Sequence, residues 1–501
     1  MINQITKPIP YPIVGGNRFG RYSKISTQET FNMMISDGCA VPFAGYQKLL
    51  DIGGGGEGRG LFTSTQFNHM IAVVDNGVYS VSTDNSISRL FELATESGDV
   101  FIAGNNGNQI GIADGQSIYI YNFFTGLQEA VTGVDFLPSY LDFQDGYFIS
   151  CGVNTSNPLG PVYNEWRLSL PNNGTNWGTP QTLASMTNVL SSKADTCIAV
   201  VNFNKQLYVF GRIVTELWTD VGYTLTGYQR NNYINIDYGC INPASIATGS
   251  IQYGEGPNQQ LIPLICWLGV NEKSGPAIMY STGGTPTQLS TDGINYVIEQ
   301  LRHPENVYGF IYRLAGHTFY QIVWPMDNLS FVYDFNIHEF FTVTDENLNY
   351  HIAKRVAFFN NKYYFLSLND GGLYQTSNSL FTYNYDTSGT NSRPDLNKDI
   401  PRIIKPGPVA LPNSDPFIAN YLDITMQQGD TSTEQVLDIS MSVDGGVSYG
   451  NTVRHELNLL PNRVNKFRDY DFGETNDFRT QLRFWGMKNF VIKGAELGIY
   501  Q

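Results

Sequence analysis

The stretch FNHMIAVVDNGVYSVS, from Phe67 to Ser82, holds two apolar segments joined by a tight Asp-Asn-Gly turn. Such a hairpin leaves an apolar face that it cannot bury alone. The same unit recurs, with an apolar strand, a turn of Gly, Asn or Asp, and a second strand rich in Tyr and Phe. Further copies are QIGIADGQSIYIYNF (Gln109 to Phe123), TCIAVVNFNKQLYVFG (Thr196 to Gly211), VYGFIYRLAGHTFYQIVW (Val307 to Trp324) and RVAFFNNKYYFLSLND (Arg355 to Asp370). Hairpins stacked around an axis share one core, so the repeat predicts a β-propeller.

The copies are unevenly spaced, and weaker ones lie near residues 140–150 and 264–280. We therefore predict an irregular propeller of six or seven blades, less regular than WD40 or kelch arrays. The segment from Asn154 to Pro180 is a long insert, which we expect at a blade edge or on one face, where partners dock.

The ends of the chain predict a second unit. Segments such as NYLDITMQQG and QVLDISMSVDGG alternate with period two, which is typical of strands in a sandwich. We predict an N-terminal segment 1–46 that packs on a platform, a propeller 47–385, a linker 386–405 and a C-terminal β platform domain 406–501. The platform is expected to be β-sandwich-like and the whole protein all-β, with TQETFNMM (Thr27 to Met34) as the one plausible short helical turn.

Composition agrees with a β-rich protein with many tight turns. Aromatic residues make up 13% of the chain and charged residues 15%, with 50 glycines. The net charge of -15 repels phosphates, which argues against adhesive binding to DNA or to an anionic membrane. The same repulsion suits a wall along which DNA must slide.

The cysteines and the apolar segments indicate where the chain folds. Its five cysteines are far apart and form no C-x-x-C pair, which predicts buried, reduced thiols and folding in a reducing cytoplasm. The N-terminus has prolines where a signal peptide needs an apolar core. The longest apolar run, Leu261 to Val270, is too short to span a bilayer, so no integral membrane insertion is expected.

The sequence carries no motif that selects a catalytic, cofactor or metal site. GGGGEG (Gly53 to Gly58) fits a dinucleotide fingerprint only formally, because a strand-like segment and not a helix follows it. The six histidines form no metal-ligand or nucleophile–base pattern. We therefore predict no enzyme, no cofactor and no metal, although the pattern does not exclude a carboxylate pair at a propeller axis.

Two turns keep a second hypothesis open. SVDGGVSY (Ser442 to Tyr449) resembles the Asp-box of sialidases, and STDGINY (Ser290 to Tyr296) is a partial copy. An Asp-box is a structural turn in which Asp accepts backbone N–H groups. These turns motivate the alternative of a carbohydrate-binding or sialidase-like propeller that acts on host receptor glycans, and a third possibility is an adhesin without enzymatic activity.

Several segments resemble one family, the packaged-DNA stabilisation proteins of short-tailed bacteriophages, also called tail hub or nozzle proteins. LYVFGRIVTELWTDVG (Leu207 to Gly222) is similar to a blade of that family, and so is HTFYQIVWPMDNLSFVYDFNIHEFF (His317 to Phe341). The opening segment from Thr27 to Phe62, with an Arg-Gly-Leu strand at its end, and the C-terminal segment from Ser442 to Tyr500 also resemble their family counterparts.

The resemblance implies a structural protein of the virion tail, made in the host cytoplasm. It implies a homo-oligomeric ring, a hexamer, below the portal and its adaptor, with the platform facing the adaptor. The ring would extend the DNA channel, retain packaged DNA, and dock a tail needle or plug and tailspikes or fibres. Double-stranded DNA would pass through the lumen without sequence-specific binding. The candidate interface residues are Arg21, Phe31, Arg59, Arg483 and Trp485.

Overall fold

The structure is a computed structural model that describes residues 7–20, 27–178, 186–222, 227–234, 236–254, 259–388, 393–427, 435–457, 464–486 and 489–500. Within these ranges the regular secondary structure is almost entirely β-strand, with one α-helix of eight residues. Five strands precede the repeated hairpins: β1 (Lys7–Tyr11), β2 (Glu29–Phe31), β3 (Met33–Ser36), β4 (Cys39–Pro42) and β5 (Gly45–Asp51).

The repeated hairpins form blades, and the first four blades are antiparallel sheets of four consecutive strands. Blade 1 contains β6 (Gly58–Ser64), β7 (His69–Val74), β8 (Gly77–Val81) and β9 (Ile87–Glu92). Blade 2 contains β10 (Phe101–Gly104), β11 (Gln109–Ala113), β12 (Ile118–Asn122) and β13 (Leu127–Glu129). Blade 3 contains β14 (Leu137–Gln144), β15 (Tyr147–Val153), β16 (Glu165–Leu168) and β17 (Thr187–Val189). Blade 4 contains β18 (Cys197–Phe203), β19 (Gln206–Gly211), β20 (Thr215–Asp220) and β21 (Tyr228–Arg230).

Blades 5 and 6 depart from this plan. In blade 5 the inner strand is split by the 3-10 turn Pro243–Ser245, and both parts pair with one long strand. Its strands are β22 (Gly239–Cys240), β23 (Ala247–Tyr253), β24 (Gln260–Val270), β25 (Ala277–Ser281) and β26 (Thr287–Gln288). Helix α1 (Asp292–Glu299) follows, with Thr291 as its N-cap. Blade 6 contains β27 (Tyr308–Leu314), β28 (His317–Trp324), β29 (Leu329–Asp334) and β30 (Glu339–Thr342), with the 3-10 turn Pro325–Asp327.

Blade 7 closes the ring with a strand from the other end of the chain. It contains β31 (Ala353–Phe359), β32 (Lys362–Ser367) and β33 (Gly372–Ser377), and its fourth strand is β5, antiparallel to β33. Beyond β5 lie β34 (Thr382–Asn384) and β35 (Asn397–Asp399). The predicted propeller of six or seven blades is confirmed, with seven blades.

The repeated polar turns explain why the hairpins form. At Asn204-Lys205 and Asn360-Asn361 both residues have positive φ, from 47° to 61°, and Asp145-Gly146 has 49° and 96°. Positive φ at two successive residues is the geometry of a type I′ turn, which matches the twist of a two-stranded ribbon. Asn, Asp and Gly adopt it at low cost, so the turn residues in the sequence set the register of the blades.

The platform is a sandwich of two sheets, built from both ends of the chain. One sheet has the order β3, β4, β42, β37, β40, with β1 paired to β42, and the other continues from β2 through β36, β41, β38 and β39. The remaining bounds are β36 (Arg402–Lys405), β37 (Phe417–Gln427), β38 (Val436–Ser442), β39 (Thr452–Glu456), β40 (Val464–Thr475), β41 (Arg479–Trp485) and β42 (Val491–Tyr500), with 3-10 turns Pro394–Leu396 and Pro412–Ser414. Buried side chains of both sheets, such as Leu422, Ile424, Leu482 and Phe484, form its core.

Propeller and platform share a sheet, because β2 pairs in parallel with β30 through Phe31 and Thr342. The segment from Thr27 to Met34 was expected to form a helical turn, which is wrong. It contributes β2 and β3 because its backbone completes two sheets. The predicted linker 386–405 includes β35 and β36, and residues 402–404 are buried, so this segment is not a simple spacer. The domain boundaries stay predictions; β5 crosses the one after residue 46, and β36 lies within the predicted linker.

Candidate functional site

The inner strands of the blades enclose a small cavity on the propeller axis. It has a volume of about 210 Å³ and is lined by Phe101, Tyr140, Phe310 and Arg355, among others. A DNA duplex does not fit through a space of this volume, because the major groove of B-DNA alone is about 12 Å wide. The blade axis of a single subunit therefore offers no passage for a duplex.

A cluster of charged residues lies where the inner strands begin, and we call Glu57, Asp99, Lys354 and Arg355 the axial latch; Lys354 is buried and the other three are partly exposed. The Lys354 ammonium is fully buried, 2.8 Å from Glu57 and 3.4 Å from Asp99. Nη1 of Arg355 donates to the carbonyl of Ala244 at 2.9 Å. Because Glu57 precedes β6, Asp99 precedes β10 and both cations lie on β31, the latch ties blades 1, 2 and 7 together at the point of ring closure.

Aromatic rings cover the cations of the latch. The Lys354 ammonium lies 4.7 Å from the ring centroid of Tyr308, and the Arg355 guanidinium lies 5.6 Å from that of Phe101. Two carboxylates and two cations balance, which lowers the cost of burying them. No sequence motif predicted this cluster; the adjacent basic pair Lys354-Arg355 at the start of an otherwise apolar hairpin was the signal that could have indicated it.

The candidate interface residue Arg59 is fully buried. Its guanidinium donates to the carbonyls of Gly98, Asp75, Thr95 and Ser97 and to the Thr95 hydroxyl, at 2.7–2.8 Å. Every N–H of the guanidinium is used, so the side chain anchors the loop before blade 2 within its own subunit. It is not placed to touch a neighbouring protein, which differs from the expected interface role.

The three other candidate residues that the structure describes lie on or beside the platform. Phe31 is on β2, at the junction with the propeller, with Lys405 Nζ 5.1 Å from its ring. Arg483 and Trp485 are partly exposed on β41, and the guanidinium stacks 3.6 Å from the indole ring. Arg21 lies outside the described residues. Their role in an interface stays a prediction.

An acid on the neighbouring strand orients Trp485. Asp438 accepts from Nε1 of Trp485 at 2.7 Å and from Nε and Nη2 of Arg454 at 2.8 and 2.9 Å. The hydrogen bond from Arg454 is the main reason why the pKa of Asp438 lies below its usual value. A cavity of about 310 Å³, lined by Asp399, Val436, Arg454, Trp485 and Gly486, lies beside the indole.

The Thr-Glu-x-Trp motif of blade 4 has a structural role. Buried Glu216 accepts from the backbone of Ser191 and Ser192, at 3.0 and 2.6 Å, and from Nε1 of Trp218 at 2.9 Å. It also pairs with Arg230 at 3.1 Å. Burial alone would raise the pKa of Glu216, but these hydrogen bonds outweigh burial, and the pKa lies below the usual value. The motif therefore fixes the loop between blades 3 and 4.

The two Asp-box-like segments have different structures. Ser442 to Tyr449 forms the turn between β38 and β39, where Asp444 accepts from the backbone of Val447 and Ser448 at 3.0 and 2.9 Å. This turn lies in the platform and not in a blade. The partial copy at Ser290 to Tyr296 is the beginning of α1. Neither segment occupies the position between blade strands that motivated the sialidase-like alternative.

In the part of the chain that the structure describes, no helix is long and apolar enough to cross a membrane. The same residues hold no group of three His, Cys, Asp or Glu side chains that could bind a metal ion. The apolar run Leu261 to Val270 lies in β24, where it builds the interior of blade 5.

The propeller region matches a known protein family. Residues 179–375, which span blades 4, 5 and 6 and the inner strands of blade 7, match the family model described as bacteriophage P22 Gp10, beta-propeller. The resemblance to the phage stabilisation family is confirmed. The match supports a phage structural protein that retains packaged DNA.

No curated protein sequence matches the chain. Among solved structures, virginiamycin B lyase from Staphylococcus aureus shares 12% identity, with 67% of this chain and 99% of that chain covered and a TM-score of 0.42. BamB from Moraxella catarrhalis shares 9% identity, with 75% and 97% covered and a TM-score of 0.37. Both TM-scores are low, and no functional inference follows from these similarities.

Proposed function

We propose that the protein is the tail hub, or nozzle, of a short-tailed phage. A ring of copies, a hexamer, lies below the portal and its adaptor, extends the DNA channel and holds the genome until ejection. The platform faces the adaptor, and the ring docks the needle or plug and the spikes or fibres. The single observation that carries this proposal is the family match over residues 179–375.

The geometry of the propeller supports a channel between subunits. The axial cavity of about 210 Å³ is too small for a duplex, so DNA in this proposal runs along the outer surface of each subunit. The net charge of -15 keeps that surface from holding the phosphate backbone, which lets DNA move without sequence-specific contacts.

The protein acts in this proposal as a structural component and not as an enzyme. The charged residues of the axial latch, Glu57, Asp99, Lys354 and Arg355, pair with one another. These residues hold the first and last blades of the propeller together, so this cluster of acids and bases has a structural role that requires no substrate. The protein is made in the host cytoplasm and resides in the virion tail.

Imaging tests the proposal directly. Purified protein is mixed with a portal–adaptor complex and examined by cryo-electron microscopy, where we expect a ring at the adaptor end with the platform toward it. Particles that lack the protein should lose their DNA, measured as nuclease-sensitive genome. A monomeric protein that does not bind the complex, together with particles that retain DNA without it, would contradict the proposal.

A further inference from the structure

The outer face of the platform carries an exposed group of tyrosines. On β37, the alternate residues Phe417, Ala419, Leu422 and Ile424 are buried in the sandwich core. The residues between them, with their neighbours on β40 and β42, point away from that core. We call this surface the tyrosine face, and its members are Ile418, Tyr421, Arg468, Tyr470 and Tyr500. Tyr470 is 55% exposed and Ile418 is 42% exposed.

The tyrosine face is held in one arrangement before any partner arrives. Arg468 binds Asp423 through Nε and Nη2 at 2.5 and 2.6 Å. Its guanidinium stacks 4.1 Å from the ring of Tyr421 and lies 5.9 Å from that of Tyr470. Gly498 lies beneath Tyr421, and a Cβ there would be 2.1 Å from the ring. Preorganised Tyr and Arg side chains are the usual centres of binding energy in protein interfaces.

The charges around the tyrosine face indicate the chemistry of its binding partner. In the network of Lys466, Arg468, Asp423 and Glu496 the two cations are paired with the two acids. Two exposed acids remain beside the aromatic half, because Glu474 lies opposite Ile418 and Asp471 follows Tyr470. This acidic border repels a phosphate backbone. It also disfavours another copy of a chain whose net charge is -15.

We propose that the tyrosine face binds a different virion protein, through an apolar surface bordered by Lys or Arg side chains. An apolar centre would pack on Tyr421 and Tyr470, and the basic border would meet Glu474 and Asp471. This inference rests on the proposed function, because the tyrosine face would be the surface with which the platform binds its neighbour in the tail.

Photo-crosslinking in assembled particles identifies the occupant. A benzophenone amino acid replaces Tyr470 in one variant and Phe358 in a matched control, since Phe358 is an aromatic residue on a propeller strand with a similar exposure of 51%. We expect Tyr470 to capture a heterologous virion protein, through a peptide that contains Lys or Arg, and Phe358 not to capture that peptide. Capture of a second copy, or of nothing in particles that contain the protein, overturns the proposal.

A binding measurement supplies the second test. Purified variants are added to particles assembled without this protein, and the bound fraction is measured by sedimentation. Tyr470→Ala should weaken binding about 30-fold, as expected for a central aromatic contact, whereas Phe358→Ala should bind like the wild type. Equal binding of Tyr470→Ala and wild type contradicts the tyrosine face but leaves the tail function standing.

The acidic border is tested with a charge reversal. Glu474→Lys should weaken binding about tenfold and reduce its salt dependence, whereas Glu96→Lys, at an exposed position on the propeller, should do neither. If the wild-type protein does not bind particles assembled without it and is also missing from virions purified from infected cells, the proposed function is wrong. That outcome differs from one in which only the tyrosine-face variants bind like the wild type.

Discussion

The axial latch and the tyrosine face use the same chemistry in two different settings. In the latch, Lys354 is fully buried between acids and beneath Tyr308. On the face, Arg468 binds Asp423 and stacks on Tyr421, but 40% of its side chain is exposed. A cation, a carboxylate and an aromatic ring therefore lock blades together where water is excluded, and they shape a docking surface where it is not.

The largest effect should come from the buried interior, at Arg59. Arg59→Ala removes five hydrogen bonds and leaves four carbonyls, all in part-buried hydrogen bonds, without that donor. We expect a loss of about 4 kcal/mol of unfolding free energy, because hydrogen bonds to a buried charge are stronger than neutral ones. Chemical denaturation measures it, and the control Arg89→Ala, at an exposed ion pair with Glu92, should lose less than about 1 kcal/mol. Equal losses of unfolding free energy for Arg59→Ala and Arg89→Ala would show that burial does not decide how much an arginine stabilises this protein.

The latch itself should show a slightly smaller effect. Lys354→Ala leaves Glu57 and Asp99 without their buried partner, and we expect a loss of about 3 kcal/mol, reduced from a fully buried pair because both acids are partly exposed. A double-mutant cycle with Glu57→Gln isolates the pair, and the coupling should be about 1 kcal/mol or more. A coupling energy of zero would mean that Lys354 stabilises the propeller by packing alone.

Acid should weaken the propeller through His351. Its ring is buried against Tyr46 and Phe365, with Nδ1 accepting from the backbone of Ala353 at 3.2 Å, and burial lowers its pKa from 6.5 to about 3. Above pH 6.5 the ring is neutral in both states. As pH falls below 6.5 the unfolded chain takes up a proton that the folded one refuses, so stability is lost down to pH 3.

The loss should be about 1.4 kcal/mol for each pH unit below 6.5, or about 2.7 kcal/mol at pH 4.5. Denaturant midpoints between pH 7 and 4.5 measure it for the wild type and for His351→Asn, whose side-chain oxygen can accept the same hydrogen bond. The variant should lose less stability over that range. An unchanged pH dependence would show that other groups cause the acid sensitivity.

The sequence predicted the propeller because its hairpins carry local signals, such as the turn Asn360-Asn361. It predicted the platform from period-two alternation, which β37 shows plainly. It did not place β5 in blade 7, nor Lys354 against Glu57, because these pairings join residues about 300 positions apart and leave no local pattern. Arg59 was expected at an interface because its Arg-Gly-Leu strand resembles the family; the carbonyls that bind it lie 16 to 39 residues further along the chain, and no motif indicates that they reach it. Tyr421 was not singled out, because an exposed and a buried tyrosine look alike in a strand.

The smallest effect should come from the tyrosine face, at Gly498. A methyl group there meets the ring of Tyr421 and must displace it, but the ring is on the surface and can turn aside. Gly498→Ala should therefore cost only about 1 kcal/mol of unfolding free energy. Its effect on partner binding should be larger than its effect on stability, because the ring that stacks on Arg468 would leave its position. Gly494→Ala, on the same strand, has no atom within 4 Å of the added carbon, and its φ of 158° strains an alanine, so it is the control for a stability loss that leaves the Tyr421 ring in place. If Gly498→Ala binds particles as well as the wild type, preorganisation of Tyr421 is not what makes this surface a docking site. The tyrosine face would then differ from the axial latch in exposure but not in function.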